Sequence, residues 1–385
     1  MMIILVSVGV LWLGYVYFGY PSLLWILGRF RRAQTPASES DLPGVSVLIS
    51  ARNEEKDIGW KVRETLAWNY PEDRLQILVA SDASDDHTDD ILRSFSDPRL
   101  NFVRMQKRSG KAAALNRLAA LAHGEVLFFT DVNTHIPPDS LRLLTRHFAD
   151  AQVGCVTGGT DLLQDKEETV VATGGSAFLS YESVLNGLES RLGSVLVCDG
   201  AIFCIRRSLF SALSADLAND LELPMRIGHA GWKVLYEPGA RAGERDTSSP
   251  WESFSQRRRI AAQGFLAMWR LRQTLQGLRG WQFISRKFLR WLTLVPLLLI
   301  LVAAAKLASG RLLIPVLAAE AAFWVPALVG FLAALMGRRG GRLVSIPFYV
   351  LLGSAATFTG VVDACRGRRF AVWETPALSR GSAAD

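Results

Sequence analysis

Residues 1–28 contain no charged side chain, and Arg29, Arg31 and Arg32 follow at once. A helix needs about 20 consecutive apolar residues to cross the hydrocarbon of a bilayer, and arginine beside such a run marks the cytoplasmic side. The run is expected to anchor the chain, with the N-terminus outside and the rest entering the cytoplasm. A secretory signal peptide is the rival reading, but it carries positive charge before the apolar run and a small-residue cleavage site after it. Neither is present.

Three more apolar stretches, 289–307, 312–336 and 343–362, crowd the far end of the chain. Positive charge places the loop with Arg338, Arg339 and Arg342 in the cytoplasm and asks the same of Arg366, Arg368 and Arg369. Both hold only if the last stretch, which contains Pro347, Gly353 and Gly360, is re-entrant or lies in the interface. Otherwise the tail is external despite its charge. Glu320 is expensive in lipid and is expected to face protein or a polar cavity near Lys306.

With 50% hydrophobic and 21% charged residues and a mean hydropathy of +0.20, the 385-residue chain is too apolar for an ordinary soluble protein. Its net charge of +7 points to a membrane surface rather than nucleic acid, because the arginines cluster beside apolar runs instead of interleaving with aromatics. Cys155, Cys198, Cys204 and Cys365 form no CxxC pair, so neither a zinc knuckle nor a disulfide framework is implied.

The organisation read from these patterns is an anchor at 1–28, a Ser- and Pro-rich linker at 29–44 and a cytoplasmic domain at 45–260. An amphipathic interfacial segment at 261–285, a membrane region of two or three spans at 286–365 and a tail at 366–385 follow. Within the domain, short apolar runs at 45–50, 76–80, 100–105 and 125–130 alternate with helical spacing at 53–68 and 111–122. That alternation implies an α/β fold with a mainly parallel sheet flanked by helices, whose ligands sit at the carboxyl ends of the strands.

The polar clusters fall at those ends. Asp82 follows the second strand, in a turn where Ser84 to Asp86 suit a helix N-cap and leave Asp82 itself unexplained. Asp131 and Asn133 follow the fourth, an arrangement that suits a hard divalent cation shared with phosphate oxygens, or an Asx turn. Asp220 opens a helix, where it is either a cap or a carboxylate able to take a proton from a hydroxyl. Arg270, Arg272 and Arg279 alternate with apolar residues over 264–281, as in a helix lying on a bilayer or a surface helix packed on the sheet.

Taken in order, VSVLISARNEE (45–55), LVASDASDDHT (78–88), GKAAALN (110–116), FFTDVNTHIPPD (128–139), VCDGAIFCIRR (197–207), Asn219 and Asp220 before GWKVLYEP (231–238), and QRRRI (256–260) resemble the inverting family 2 glycosyltransferases, the group of the cellulose, hyaluronan and chitin-oligosaccharide synthases. The resemblance covers residues 42–269 and implies a GT-A-type sheet with transmembrane helices at both ends. It implies that Asp82, Glu54, Lys111 and Asp131 line the nucleotide-sugar pocket, and that Asp131 and Asn133 hold Mg2+ or Mn2+. It also implies that Asp220 is the base, that Gln256 and Arg259 close over the diphosphate, and that Cys198, Asp199 and Gly200 shape the acceptor path. A UDP-sugar donor and a glycan or lipid-linked acceptor at the cell's inner membrane follow from the same likeness. Three positions depart from the family pattern: Asn133 replaces the second acid of D-x-D, Asn219 the middle acid of T-E-D, and Ile260 the tryptophan of processive members.

Overall fold

A computed structural model describes residues 2–31, 42–163, 169–245, 249–306 and 313–368. Most of the linker and all but the first residues of the tail lie outside them. The sheet contains β1 (Val45–Ala51), β2 (Leu75–Ser81), β3 (Leu100–Arg104), β4 (Val126–Thr130), β5 (Thr134–His135), β6 (Val153–Leu163), β7 (Phe203–Arg206) and β8 (Lys233–Arg245). They lie in the order β3-β2-β1-β4-β7-β6-β8-β5. β1 to β4 are mutually parallel, β7 runs against both β4 and β6, and β5 against β8. The mainly parallel α/β sheet expected from the sequence is therefore present.

The central strands read as unbroken apolar runs because both faces are buried. Val47, Ile49, Ile77, Val79 and Phe128 point to one side, where Ile58, Val62 and Leu92 cover them. Leu48, Leu78, Leu127 and Phe129 point to the other, against Ala114, Leu115 and Leu118. Each such side chain contributes about 1.5–3 kcal/mol by leaving water. The chain passes from β1 outward to β2 and β3 and then returns to β4 on the opposite side of β1. The carboxyl ends of β1 and β4 thus open onto a switch-point crevice.

The N-terminal apolar helix runs from Met2 to Arg29 through a π-helical turn at Tyr15–Gly19. It is fastened to the rest of the protein. Trp281 Nε1 donates to Tyr15 at 2.9 Å, Trp12 Nε1 to the Leu289 carbonyl at 3.2 Å, and the Tyr20 hydroxyl to Glu189 at 2.5 Å. Glu189 also accepts from Arg286 Nη1 at 2.6 Å, and Arg286 Nη2 reaches Glu182 at 2.9 Å and Asn186 at 2.8 Å. Glu189 and Arg286 are fully buried.

One of the C-terminal stretches differs from expectation. The run 289–307 is broken: a turn at Leu289–Trp291 ends at Leu292 and Thr293, and a second helix, described over Leu294–Lys306, starts after it. The helices Leu313–Leu335 and Arg342–Cys365 are continuous through Pro326 and Pro347. With 4–29, segments 317–335 and 342–365 are long and apolar enough to span a membrane. Within the second of these, Glu320 accepts from Trp324 Nε1 at 2.6 Å, one turn along its own helix.

The single amphipathic helix over 264–281 is also replaced by two. Helix Pro250–Arg270 ends where Leu271 leaves helical geometry, and Gly277, at φ +55°, starts the helix Gly277–Phe283. Part of the segment's apolar surface packs inward: Ala267 and Leu271 join Phe283 and Trp291 in a cluster with Leu196, Leu221, Met225 and Val361, while Trp269 and Leu278 stay exposed.

Removing one member of a buried ion pair strands the other charge in the interior, at a cost of about 3–5 kcal/mol. Arg286→Met should lower stability by about that amount. It reads as a large drop in Tm in detergent, with Arg286→Lys recovering only part of it.

Candidate active site

Asp82 lies just past β2, and neither of its oxygens caps its own turn. Oδ1 accepts from the Ser109 amide at 2.7 Å and Oδ2 from the Gly110 amide at 2.8 Å. Gly110 precedes the helix Lys111–Leu121 and holds φ +86°, a conformation that only glycine adopts without strain. Asp82 thus fixes the start of the helix that presents Lys111. The turn beside it is closed by Asp86, whose Oδ1 accepts from the Thr88 amide at 3.0 Å while Oδ2 accepts from the Glu55 amide at 3.1 Å. Glu54 is buried at the end of β1, its amide donating to Thr88 Oγ1 at 2.8 Å.

Asp131 follows β4, and its Oδ1 takes Lys111 Nζ at 2.5 Å. Asn133 is half-buried beside it. One carboxylate and one amide oxygen form a sparse, hard donor set, which fits a divalent cation held largely by substrate phosphates. Among the described residues no group of three His, Cys, Asp or Glu side chains could hold a metal ion by itself.

Asp220 is in the first turn of the helix Asn219–His229, whose N-cap is Ala218, so capping does not account for it. Pro224 lies four residues on. It has no N–H to give the Asp220 carbonyl, which instead accepts from the Cys198 amide at 2.9 Å. This bond ties Asp220 to the segment Cys198, Asp199 and Gly200. The Asp220 carboxylate rests so close to Gly200 that a Cβ there would stand 3.2 Å from Oδ2. Cys198 Sγ meets Cys155 Sγ at 3.4 Å, and burial pushes the Cys198 thiol well up.

The acids act on one another electrostatically. Burial raises the pKa of Asp220, the Asp131 charge raises it further, and Lys111 and Lys287 oppose both. Burial pushes Asp199 up to about 6, with Asp220 adding to the effect. Glu244, at the end of β8, is pushed up to about 8 by burial and by the charges of Asp199 and Asp131. It faces Thr134 Oγ1 at 3.4 Å, three residues past Asp131. Arg259 is half-buried, and the charges of Asp220 and Asp131 counter the effect of its burial. Asp131, Asp199, Asp220, Glu244, Lys111 and Arg259 therefore share one charged cleft. Gln256, one turn before Arg259, is exposed.

Glu244, Lys287 and the fully buried Lys61 were not singled out from the sequence. Lys61 donates to the Thr134 carbonyl at 2.5 Å, behind the Asp131 loop, and burial drops its pKa to about 8. An acid closing the long strand that ends in GER was the available signal for Glu244. Lys61 and Lys287 had none, because each lies within a segment that reads as an ordinary helix.

The three arginines of QRRRI diverge. Arg257 stacks between Phe178 and Tyr349, 4.4 and 4.3 Å from their ring centres, Arg258 pairs with Asp363 at 2.5 Å, and Arg259 faces the acids. A Cβ on Gly360 would lie 2.2 Å from the Arg258 carbonyl, so this crossing of helices requires glycine. Two arginines read as membrane contacts instead brace the Asp220 helix. Arg270 pairs with Asp216 through two 2.6 Å bonds, and buried Arg279 packs on Gly228 and donates to the Pro224 carbonyl at 3.2 Å. Arg272 is exposed.

A family model described as glycosyltransferase like family 2 matches residues 43–262. The chain belongs to this family. It is 27% identical to the probable glycosyltransferase YdaM of Bacillus subtilis over 70% of this chain and 66% of that protein. It is 25% identical to the beta-monoglucosyldiacylglycerol synthase of Synechocystis over 61% of this chain and 51% of the synthase. With the poly-beta-1,6-N-acetyl-D-glucosamine synthase of Staphylococcus epidermidis it shares 23% identity over 57% of each. The chain thus spans between half and two thirds of the length of these relatives. A mannosyltransferase from Pyrobaculum calidifontis, solved with GDP-mannose and Mn2+, superposes with a TM-score of 0.69 at 21% identity, over 92% of this chain and 98% of that one. That likeness establishes the GT-A-like fold.

A carboxyl group whose folded pKa lies above its unfolded value, about 3.9 for aspartate, stabilises the fold most below the unfolded value and loses that contribution as pH rises through the folded one. For Asp199 the window runs from about pH 4 to about 6. Asp199→Asn removes this dependence. Relative to the wild type, the variant should gain about 2 kcal/mol of stability between pH 4 and pH 7, checked by denaturant unfolding across that range.

Proposed function

We propose that this glycosyltransferase moves a sugar, with inversion, from a nucleoside diphosphate sugar to a hydroxyl of a membrane-held acceptor. A UDP-sugar is the first candidate donor, and a lipid or lipid-linked glycan the acceptor. Asp220 takes the proton of the acceptor hydroxyl, whose oxygen attacks the anomeric carbon as the bond to the diphosphate breaks. Arg259 and Lys111 meet the charge that develops on the departing diphosphate, as a guanidinium fork and a point charge respectively. Asp131 and Asn133 would hold Mg2+ or Mn2+, which supplies further positive charge against that leaving group. Glu54 and the turn at Asp82 border the nucleoside, and residues 198–200 border the acceptor.

The observation that carries this reading is the convergence of Asp220, Asp131, Lys111 and Arg259 at the carboxyl end of the sheet, beneath a helix packed on the C-terminal apolar helix. Ile260, half exposed on that helix, offers no aromatic face for a growing chain to stack on, which favours a single transfer over polymer synthesis.

We further propose that the catalytic domain faces the cytoplasm and that helix Arg342–Cys365 lies along the membrane interface. Its start pairs with the domain through Arg339 and Thr169, its middle through Tyr349 and Arg257, and its end through Asp363 and Arg258. A helix whose two ends both touch the same cytoplasmic domain accommodates arginine clusters at both ends on one side, which a full crossing does not.

Asp220→Asn should lose transfer by about 10²–10⁴-fold while still binding donor, with nucleoside diphosphate release measured over UDP-glucose, UDP-N-acetylglucosamine and GDP-mannose. Full transfer by the variant contradicts the assignment of the base. For the topology, single cysteines at 338 and 366, in a protein with Cys365→Ser, should both resist a membrane-impermeant maleimide added to intact cells. Labelling at one end alone would mean that the helix crosses.

A further inference from the structure

A proline inside a helix removes a hydrogen bond and is ordinarily disfavoured, yet Pro224 sits buried in the middle of the helix that carries Asp220. What its missing N–H leaves behind is specific. The unclaimed carbonyl is that of Asp220, and the donor that takes it is the Cys198 amide at 2.9 Å. The Cys198 segment is itself anchored on the sheet: the Asp199 amide donates to Thr157 Oγ1 at 2.8 Å and the Ala201 amide to Asp199 Oδ1 at 3.1 Å. Pro224 is held from its other side as well, where Arg279 donates to its carbonyl at 3.2 Å.

We infer that Pro224 is a positioning residue: by denying the Asp220 carbonyl a partner within the helix, it hands that carbonyl to Cys198 and so fixes the Asp220 carboxylate over Gly200. An N–H at position 224 would compete with the Cys198 amide for the same oxygen and draw the backbone at Asp220 back into the helix. The expectation runs against the usual one for a buried substitution, since Pro224→Ala should leave the fold as stable as before or more so and impair the reaction all the same. The inference rests on the proposed role of Asp220 as base.

The test uses the full-length enzyme in detergent, comparing wild type, Pro224→Ala, Pro224→Gly and Asp220→Asn. Amide hydrogen exchange over residues 195–202 reads the hand-off without any substrate. Tm reads the fold, and kcat and donor KM are taken with whichever of UDP-glucose, UDP-N-acetylglucosamine or GDP-mannose the wild type turns over. Pro224→Ala is expected to exchange faster over 195–202, to keep its Tm, and to lose at least about tenfold in kcat with donor KM within about twofold, since catalytic geometry is that sensitive to small displacements. Pro224→Gly should show the same faster exchange, because it restores the N–H without alanine's methyl. Unchanged exchange in both variants overturns the hand-off. Faster exchange with kcat unchanged, while Asp220→Asn is inactive, overturns the positioning role and leaves the base assignment standing. An active Asp220→Asn overturns the base assignment and the positioning role with it, while the exchange data still judge the hand-off.

Discussion

Four carboxyl groups at one end of a sheet repel one another, and burial makes their shared ionisation dearer still. Asp131, Asp199, Asp220 and Glu244 coexist here because the surrounding elements bring cations to them: Lys111 from the helix after Gly110, Lys61 from the helix behind the Asp131 loop, Arg259 from the helix above and Lys287 from the turn beyond it. Even so, Asp199 and Glu244 are held toward their protonated forms. The pKa of Asp220 is raised too, by burial and by the Asp131 charge, with Lys111 and Lys287 opposing. A nucleotide sugar entering this cleft adds the negative charge of its diphosphate, which Lys111 and Arg259 are placed to meet.

The helix Pro250–Arg270 carries that electrostatic arrangement to the apolar part of the protein. Consecutive arginines on a helix point about 100° apart, so Arg257, Arg258 and Arg259 necessarily serve three surroundings. One stacks on aromatic rings, one pairs with an acid near the end of the last helix, and one faces the cleft. The position of Arg259 is therefore coupled to the seating of helix Arg342–Cys365. The segment after it braces the Asp220 helix through Arg270 and Arg279, so both walls of the cleft are held by elements adjoining the apolar region.

Much of the fold was readable in the residue pattern, because strands buried on both faces demand unbroken apolar runs. Those at β1, β2 and β4 fall within a residue or two of where the runs placed them. Asp82 and Asp131 could be picked out as acids just past apolar runs, and Asp220 as an acid opening a helix. Their partners could not. That Asp82 grips the amides of Ser109 and Gly110 depends on a contact 27 residues distant in sequence, and that Arg279 braces Pro224 on one 55 residues distant. Alternating arginine and apolar residues over 264–281 look alike whether the apolar face meets lipid or protein, and only the fold showed that Ala267 and Leu271 pack with Leu196, Met225 and Val361.

The order of side chains along the chain determined the strand-helix alternation, the membrane-length helices and the acids at strand ends, because these follow from periodicity and local charge alone. The cleft's protonation pattern, the reach of Glu244 and Lys287 into it, and the gift of Asp220's carbonyl to Cys198 arose only on folding. Each depends on distances between residues that the sequence keeps apart, and charge interactions in a buried site change steeply with those distances.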